Sequence, residues 1–205
     1  MKGIVHHAIY NTLADWETGH ATAHLRNGRY QREPAGYEIV TVGPTTDPVV
    51  TMGGLHLTPD LALDQLSPSD SALLILPGAD LWDAGQELAP FARKAREFLD
   101  AGVPVAAICG ATAGLAREGL LDDRDHTSAV VHYLAAQEGY AGAKRYLDQD
   151  AVLGGDLITA GPTEPVAFAR EIFRRLDIYR PEVLDAWFRL FARSDASAFE
   201  VLAVA

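Results

Sequence analysis

A strand that runs straight into a lone cysteine and then into a helix constrains this chain more than any other feature. The run is Val103-Pro104-Val105-Ala106-Ala107-Ile108-Cys109-Gly110-Ala111-Thr112-Ala113-Gly114-Leu115, and Cys109 is the one cysteine of the sequence. Strand, nucleophile, helix is the order of a nucleophile elbow. A sharp turn exposes the reactive atom above the sheet edge, and small neighbours let strand and helix approach closely. At the N-terminus of that helix the dipole favours thiolate over thiol, and thiolate is the reactive form. The competing reading is structural, because a lone cysteine is ordinarily a small buried hydrophobe.

The elements around this stretch decide what it can be. Gly3 to Tyr10, Tyr37 to Val42, Ala72 to Leu76 and Leu157 to Thr159 read as strands. Val49 to Thr58, around Gly53-Gly54, reads as a small hairpin or arm, and Pro59 to Leu66 as a short helical turn. Asp15 is placed to cap a helix carrying Trp16, Glu17, His20, Ala23, His24 and Leu25 and ending near Gly28. Gln86 to Ala101 puts Leu88, Phe91, Ala92, Ala95, Phe98 and Leu99 at helical spacing, with Gly102 just past its end. A weaker helical pattern covers Ala129 to Glu138. Pro165 to Ile178 and the segment from Pro181 complete the helices, proline suiting a first turn. Strands alternate with helices, which predicts an α/β fold with a mostly parallel sheet and helices on both faces. Sites in such sheets lie beyond the C-terminal strand ends. Three of those ends converge: Ile9-Tyr10 leading to Glu17, Leu76-Pro77-Gly78, and Ile108-Cys109.

Composition removes several function classes. The chain has 205 residues, 48% hydrophobic and 22% charged, enough for one sizeable core in an ordinary globular protein. A net charge of -11 argues against a nucleic-acid or anionic-membrane partner, since both select a basic patch. One cysteine cannot form an internal disulfide, so no oxidising compartment is needed. Met1 to Tyr10 reads as a first strand rather than a signal peptide, and no apolar run is long enough to cross a bilayer. The expected location is the cytoplasm. No dinucleotide or P-loop fingerprint is present around Gly53-Gly54, and no cofactor is expected. Glu17, His20 and His24 share a helical face at i, i+3 and i+7, but no fourth ligand accompanies them, so no metal is expected either.

A cysteine nucleophile needs a proton acceptor and donors for a developing oxyanion. The backbone N–H groups of Gly78 and Gly110 are the candidate donors. Glu17, if it faces the crevice, is partly desolvated and able to hold a proton. His126, in Asp122-Asp123-Arg124-Asp125-His126-Thr127-Ser128, is a candidate base with carboxylates beside it. Each has a bland alternative: a turn at Pro77-Gly78, an acid in a first helical turn, a solvated loop histidine.

Together these residues resemble the ThiJ/PfpI family of the class I glutamine amidotransferase-like superfamily. The resemblance rests on Ala107 to Ala116, Leu74 to Ala79, Asp125-His126-Thr127-Ser128 and Asp15-Trp16-Glu17-Thr18, with Leu157 to Pro162 and the helix after it as the last strand and helix. It runs from about residue 3 to about residue 178. It implies a flavodoxin-like α/β sandwich over residues 1–205, with 181–205 a C-terminal helix and tail, and a homodimer. It also implies Cys109 as nucleophile in a strained backbone conformation, Glu17 hydrogen-bonded to its sulfur, His126 near that sulfur, and the Gly78 and Gly110 amides on the oxyanion side. The reactions implied act on small molecules: an amide, a 2-oxoaldehyde or an isonitrile. Two departures narrow this. Gly110 stands where PfpI-type members place a histidine, which weakens the peptidase reading. Gly161-Pro162-Thr163-Glu164-Pro165 lacks the His-x-Glu pair of true glutamine amidotransferases, which weakens glutaminase activity. The leading expectation is therefore a cysteine-dependent hydrolase or lyase. The alternatives are a redox- or stress-responsive protein in which Cys109 is oxidised to sulfinic acid, and a non-catalytic binding domain.

Overall fold

Unbroken apolar runs make the centre of the sheet. Leu73 to Leu76 and Val105 to Ile108 are buried at every position, as expected of parallel strands covered on both faces. The computed structural model describes residues 3–205. Met1 and Lys2, part of the stretch read as a first strand and not a signal peptide, lie outside the described residues. The strands are β1 (Ile4–Ala8), β2 (Glu38–Gly43), β3 (Val49–Val50), β4 (His56–Leu57), β5 (Leu61–Ala62), β6 (Leu73–Leu76), β7 (Val105–Ile108), β8 (Ala151–Gly154) and β9 (Leu157–Ala160). Seven of them form one sheet in the order β5-β2-β1-β6-β7-β9-β8, parallel except for β8, which runs back along β9 as a hairpin. The helices are α1 (Gly19–Asn27), α2 (Ala89–Asp100), α3 (Ala111–Arg117), α4 (Val131–Ala135), α5 (Pro165–Arg175), α6 (Pro181–Arg193) and α7 (Phe199–Leu202).

Strand alternation divides the core between the two faces. Leu74, Leu76, Val105 and Ala107 pack with Phe91, Ala95, Phe98 and Leu115 on one side. Leu73, Ile75, Ala106 and Ile108 pack with Leu25, Phe168, Ile172 and Trp187 on the other. This is the flavodoxin-like α/β arrangement expected, with helices on both faces. None of the described helices is long and apolar enough to cross a membrane.

Three local expectations are corrected. The segment after Pro59 begins as strand β5, and the helical turn expected there is confined to Leu63–Gln65. Asp60 accepts from the Thr41 amide (2.8 Å) and hydroxyl (2.7 Å), and those bonds hold the chain against β2. The first helix starts at Gly19, not near Asp15, because the Asp15 carboxylate accepts from the Gly53 N–H at 2.6 Å and ties down the β3–β4 hairpin instead. Glu17 therefore lies in the loop before α1, and its shared helical face with His20 and His24 does not exist. The pattern over Ala129 to Glu138 contracts to the single turn of α4.

Candidate active site

Cys109 follows β7 directly with φ at 57°, a left-handed conformation that a residue other than glycine adopts only at a cost of about 1–3 kcal/mol. The surrounding bonds impose it. The Cys109 N–H donates to the Ala160 carbonyl of β9 (3.1 Å), which extends the sheet by one more residue. The Cys109 carbonyl accepts from the Thr112 N–H (3.0 Å) and from the Thr112 hydroxyl (2.6 Å), which also pairs with Ser128 Oγ at 2.7 Å. The small residues of the elbow have defined neighbours. A Cβ on Gly114 would fall 2.2 Å from Trp82 Cζ3, and one on Gly110 would fall 3.1 Å from Trp82 Cβ. Trp82 is thus the surface against which α3 closes.

The loop after β6 is fixed by the same tryptophan. Its indole N–H donates to Pro77 O (3.0 Å) and reaches the Tyr10 hydroxyl (3.1 Å), and Tyr10 itself donates to Pro77 O. The Gly78 carbonyl accepts from the Ala14 N–H at 2.9 Å. That leaves the Gly78 N–H turned to Glu17, whose Oε2 accepts it at 2.5 Å. A Cβ on Gly78 would lie 2.7 Å from Cys109 Cβ and 2.8 Å from Glu17 Oε1, so carboxyl, thiol carbon and glycine meet at one point.

The Glu17 side chain is wholly buried, and burial pushes its pKa up to about 7 against the pull of the Gly78 N–H and the Cys109 thiol. Oε1 is buried without a hydrogen-bond partner among the described residues. Burial pushes Cys109 up as well, to about 12, reinforced by the charge of Glu17 and its hydrogen bond and opposed by the Gly110 N–H. The sulfur thus has a carboxyl neighbour able to take its proton and an amide facing it, and Cys109 itself is only partly covered.

Of the five residues singled out in the sequence, Cys109, Glu17, Gly78 and Gly110 come together, and His126 does not join them. His126 is fully buried and both its ring nitrogens are taken: Nδ1 by the Arg124 carbonyl and Nε2 by the Tyr140 hydroxyl, each at 2.8 Å. These partners assign the proton to Nδ1 and make Nε2 an acceptor. Burial also lowers its pKa, so it is a neutral ring bracing a loop, not a free base. Two further expectations change. The Gly78 amide serves the carboxylate rather than an oxyanion, and the thiol is raised rather than lowered because burial, with the charge of Glu17, outweighs the Gly110 N–H. Sequence reasoning missed Asp83 and Tyr133, whose charge and hydroxyl bear on the sulfur. They are 50 residues apart and joined by one hydrogen bond, Tyr133 Oη to Asp83 Oδ1 at 2.7 Å, for which the sequence carries no local signal.

A model of the DJ-1/PfpI family matches residues 5–175, nearly the whole sheet and all of this site. The chain belongs to the DJ-1/PfpI family. Within that family it is 38% identical over 185 residues to a Bacillus subtilis protein named "Uncharacterized protease YoaZ", covering 89% of this chain and 87% of that one. It is 31% identical over 146 residues to "Protein/nucleic acid deglycase 2" of Escherichia coli, covering 69% of this chain and 83% of that one. Among solved structures, a thiJ/pfpI family protein from Bacillus anthracis superposes with a TM-score of 0.91 at 36% identity, covering 98% of this chain and 95% of that one. A DJ-1 superfamily protein from Agrobacterium tumefaciens gives 0.82 at 34% identity, covering 94% and 98%. DJ-1/PfpI relatives of this chain carry the names of proteases, deglycases and a glyoxalase, which makes the family hydrolase-like in its named activities.

Proposed function

We propose that this protein is a cysteine-dependent enzyme that attacks a small electrophilic carbon (an amide, a 2-oxoaldehyde or an isonitrile) with Cys109. The observation that carries this reading is the buried Glu17 carboxyl beside the Cys109 thiol, with the Gly78 N–H on its other oxygen. A thiol near 12 is a poor nucleophile by itself. Beside a base near 7 it needs no prior ionisation, because the base takes the proton as the bond forms. With a 2-oxoaldehyde, the sulfur adds to the aldehyde carbon, the thiol proton passes to Glu17, and the carbonyl π pair moves to oxygen. The Gly110 N–H, which faces the sulfur, is the donor for that oxyanion, and Glu17 then returns the proton to it, giving a hemithioacetal. With an amide the same proton goes to the departing nitrogen and leaves a thioester for water to open.

The test is turnover of a panel of 2-oxoaldehydes, amides and isonitriles. Cys109→Ala is expected to abolish the activity found. Glu17→Gln is expected to lower kcat/KM by about 10²–10⁴. Glu17 works as a base only when unprotonated, so the wild-type rate should rise with pH through an apparent pKa near 7, and Glu17→Gln should lose that limb. Undiminished turnover in Cys109→Ala would overturn the reading.

A further inference from the structure

The Cys109 elbow has a third side that the mechanism above does not use. Asp83 follows Trp82, the residue against which Gly110 and Gly114 pack, which puts its backbone at the wall of the elbow, where its charge bears on the Cys109 thiol. A ring of hydrogen bonds keeps it there. Tyr133 of α4 donates its hydroxyl to Asp83 Oδ1 at 2.7 Å. Gln137 Nε2 donates to the Tyr133 carbonyl (2.8 Å), and its Oε1 accepts from Arg117 (2.5 Å). Arg117 closes the ring on the Trp82 carbonyl at 2.7 Å. Both Arg117 bonds go to uncharged acceptors, so the ring leaves Asp83 anchored but not ion-paired. Among the described residues, Tyr133 is the only side chain bonded to Asp83, and Asp83 is itself exposed. The carboxylate is therefore open to solvent beside the elbow, with no cation bonded to it among the described residues.

The other flank of the elbow has the same sign. The Cys109 N–H donates to Ala160, and Gly161, the next residue, lines a cavity of about 410 Å³ with Ser128, Asp148, Asp150 and Glu164. None of the residues lining that cavity is basic.

We propose that Asp83, positioned by Tyr133, is a specificity determinant of the Cys109 site, which selects electrophiles carrying an ammonium group over those carrying an anion. This rests on Cys109 as the reacting atom. Asp83 touches the cationic end of the substrate, and Tyr133 acts through Asp83. A carboxylate left unpaired at a half-covered site attracts a cation and repels an anion, and the two effects together give about tenfold discrimination at short range and high effective dielectric.

The test uses two methanethiosulfonates of equal length, one ending in an ammonium group and one in a sulfonate. Each reacts as Cys109 sulfur displaces methanesulfinate, forming a mixed disulfide, so the measurement needs no turnover. The ratio of their rates at Cys109, divided by the same ratio for free cysteine, is expected to be about ten in low salt. High salt should shrink it, because exposed charges are screened. Asp83→Asn keeps an acceptor for Tyr133 and should bring the ratio to within about twofold of free cysteine. Tyr133→Phe should give an intermediate ratio, and Asp80→Asn, on the same turn, should leave it unchanged. A ratio that Asp83→Asn leaves at the wild-type value, or a wild-type ratio of one in low salt, overturns the proposal. Absence of turnover on every carbonyl, amide and isonitrile with the charge ratio intact would overturn the enzymatic reading and leave this one standing.

Discussion

At Gly78 the absence of one carbon is what allows the site to exist. A Cβ there would meet Cys109 Cβ at 2.7 Å and both Glu17 carboxylate oxygens within 2.9 Å. Contacts this short force a backbone shift, and the loop cannot yield easily, since Trp82 and Tyr10 hold Pro77 on one side and Ala14 holds the Gly78 carbonyl on the other. Gly78→Ala is therefore expected to cost about 1–3 kcal/mol of stability. It should also slow alkylation of Cys109 at pH 8 by at least about tenfold, because Glu17 is displaced from the thiol. Urea unfolding and iodoacetamide kinetics on the same preparation check both, and an unchanged alkylation rate would refute the shared-point geometry. The same residues show what the sequence could convey about the site. Strand, cysteine and small residues are local and were legible, as was the convergence of Glu17 and Gly78 on one sheet edge. The direction of the Gly78 N–H and the partners of the two His126 nitrogens were not. Those depend on Tyr140 and Arg124 and on a carbonyl turned toward Ala14, none of which a motif specifies.

At the scale of elements, α6 closes the sheet face opposite Trp82. Trp187 is fully buried and meets Phe173 edge-on at 4.9 Å, His24 at 5.2 Å and Phe191 at 5.0 Å. His20 and His24 of α1 are packing partners of this cluster. Trp187→Ala is expected to destabilise by about 3–5 kcal/mol, through lost burial and an unfilled cavity between α1, α5 and α6. Denaturant unfolding checks this, and a loss below about 1 kcal/mol would mean that α6 is not part of the cooperative core. Apolar periodicity revealed this helix and the central strands, because burial imposes the period directly. It could not reveal β5 or the late start of α1. Two polar side chains decided those segments, Asp60 pinning the chain to β2 and Asp15 leaving the helix to hold Gly53, and each acts over a distance that local propensity does not read.

For the whole molecule, buried titratable groups set how stability changes with pH. Burial lowers His7 and His24 to about 4, so both stay neutral in the folded state while the unfolded chain takes up protons below 6.5. Their contribution to stability is present above pH 6.5 and is lost as pH falls toward 4. Glu17 works in the opposite sense. Its folded pKa near 7 lies above the ordinary 4.5, so the folded protein holds a proton that the unfolded chain releases between those values. Stability from this group is complete below pH 4.5 and declines as pH rises to 7, by about 3 kcal/mol at most. A buried carboxyl whose pKa is raised to about 7 therefore weakens the fold at neutral pH and above. Glu17→Gln tests this because the amide mimics the protonated carboxyl: its oxygen can accept from the Gly78 N–H, and its NH₂ can face the sulfur. The variant is expected to match the wild type at pH 4.5 and to exceed it at pH 8 by up to about 3 kcal/mol in urea unfolding. It should do so while losing the pH-dependent limb of its activity. A stability difference that is the same at both pH values would mean that Glu17 ionises as freely in the folded protein as in the unfolded chain, and the proton relay built on it would fall with that result.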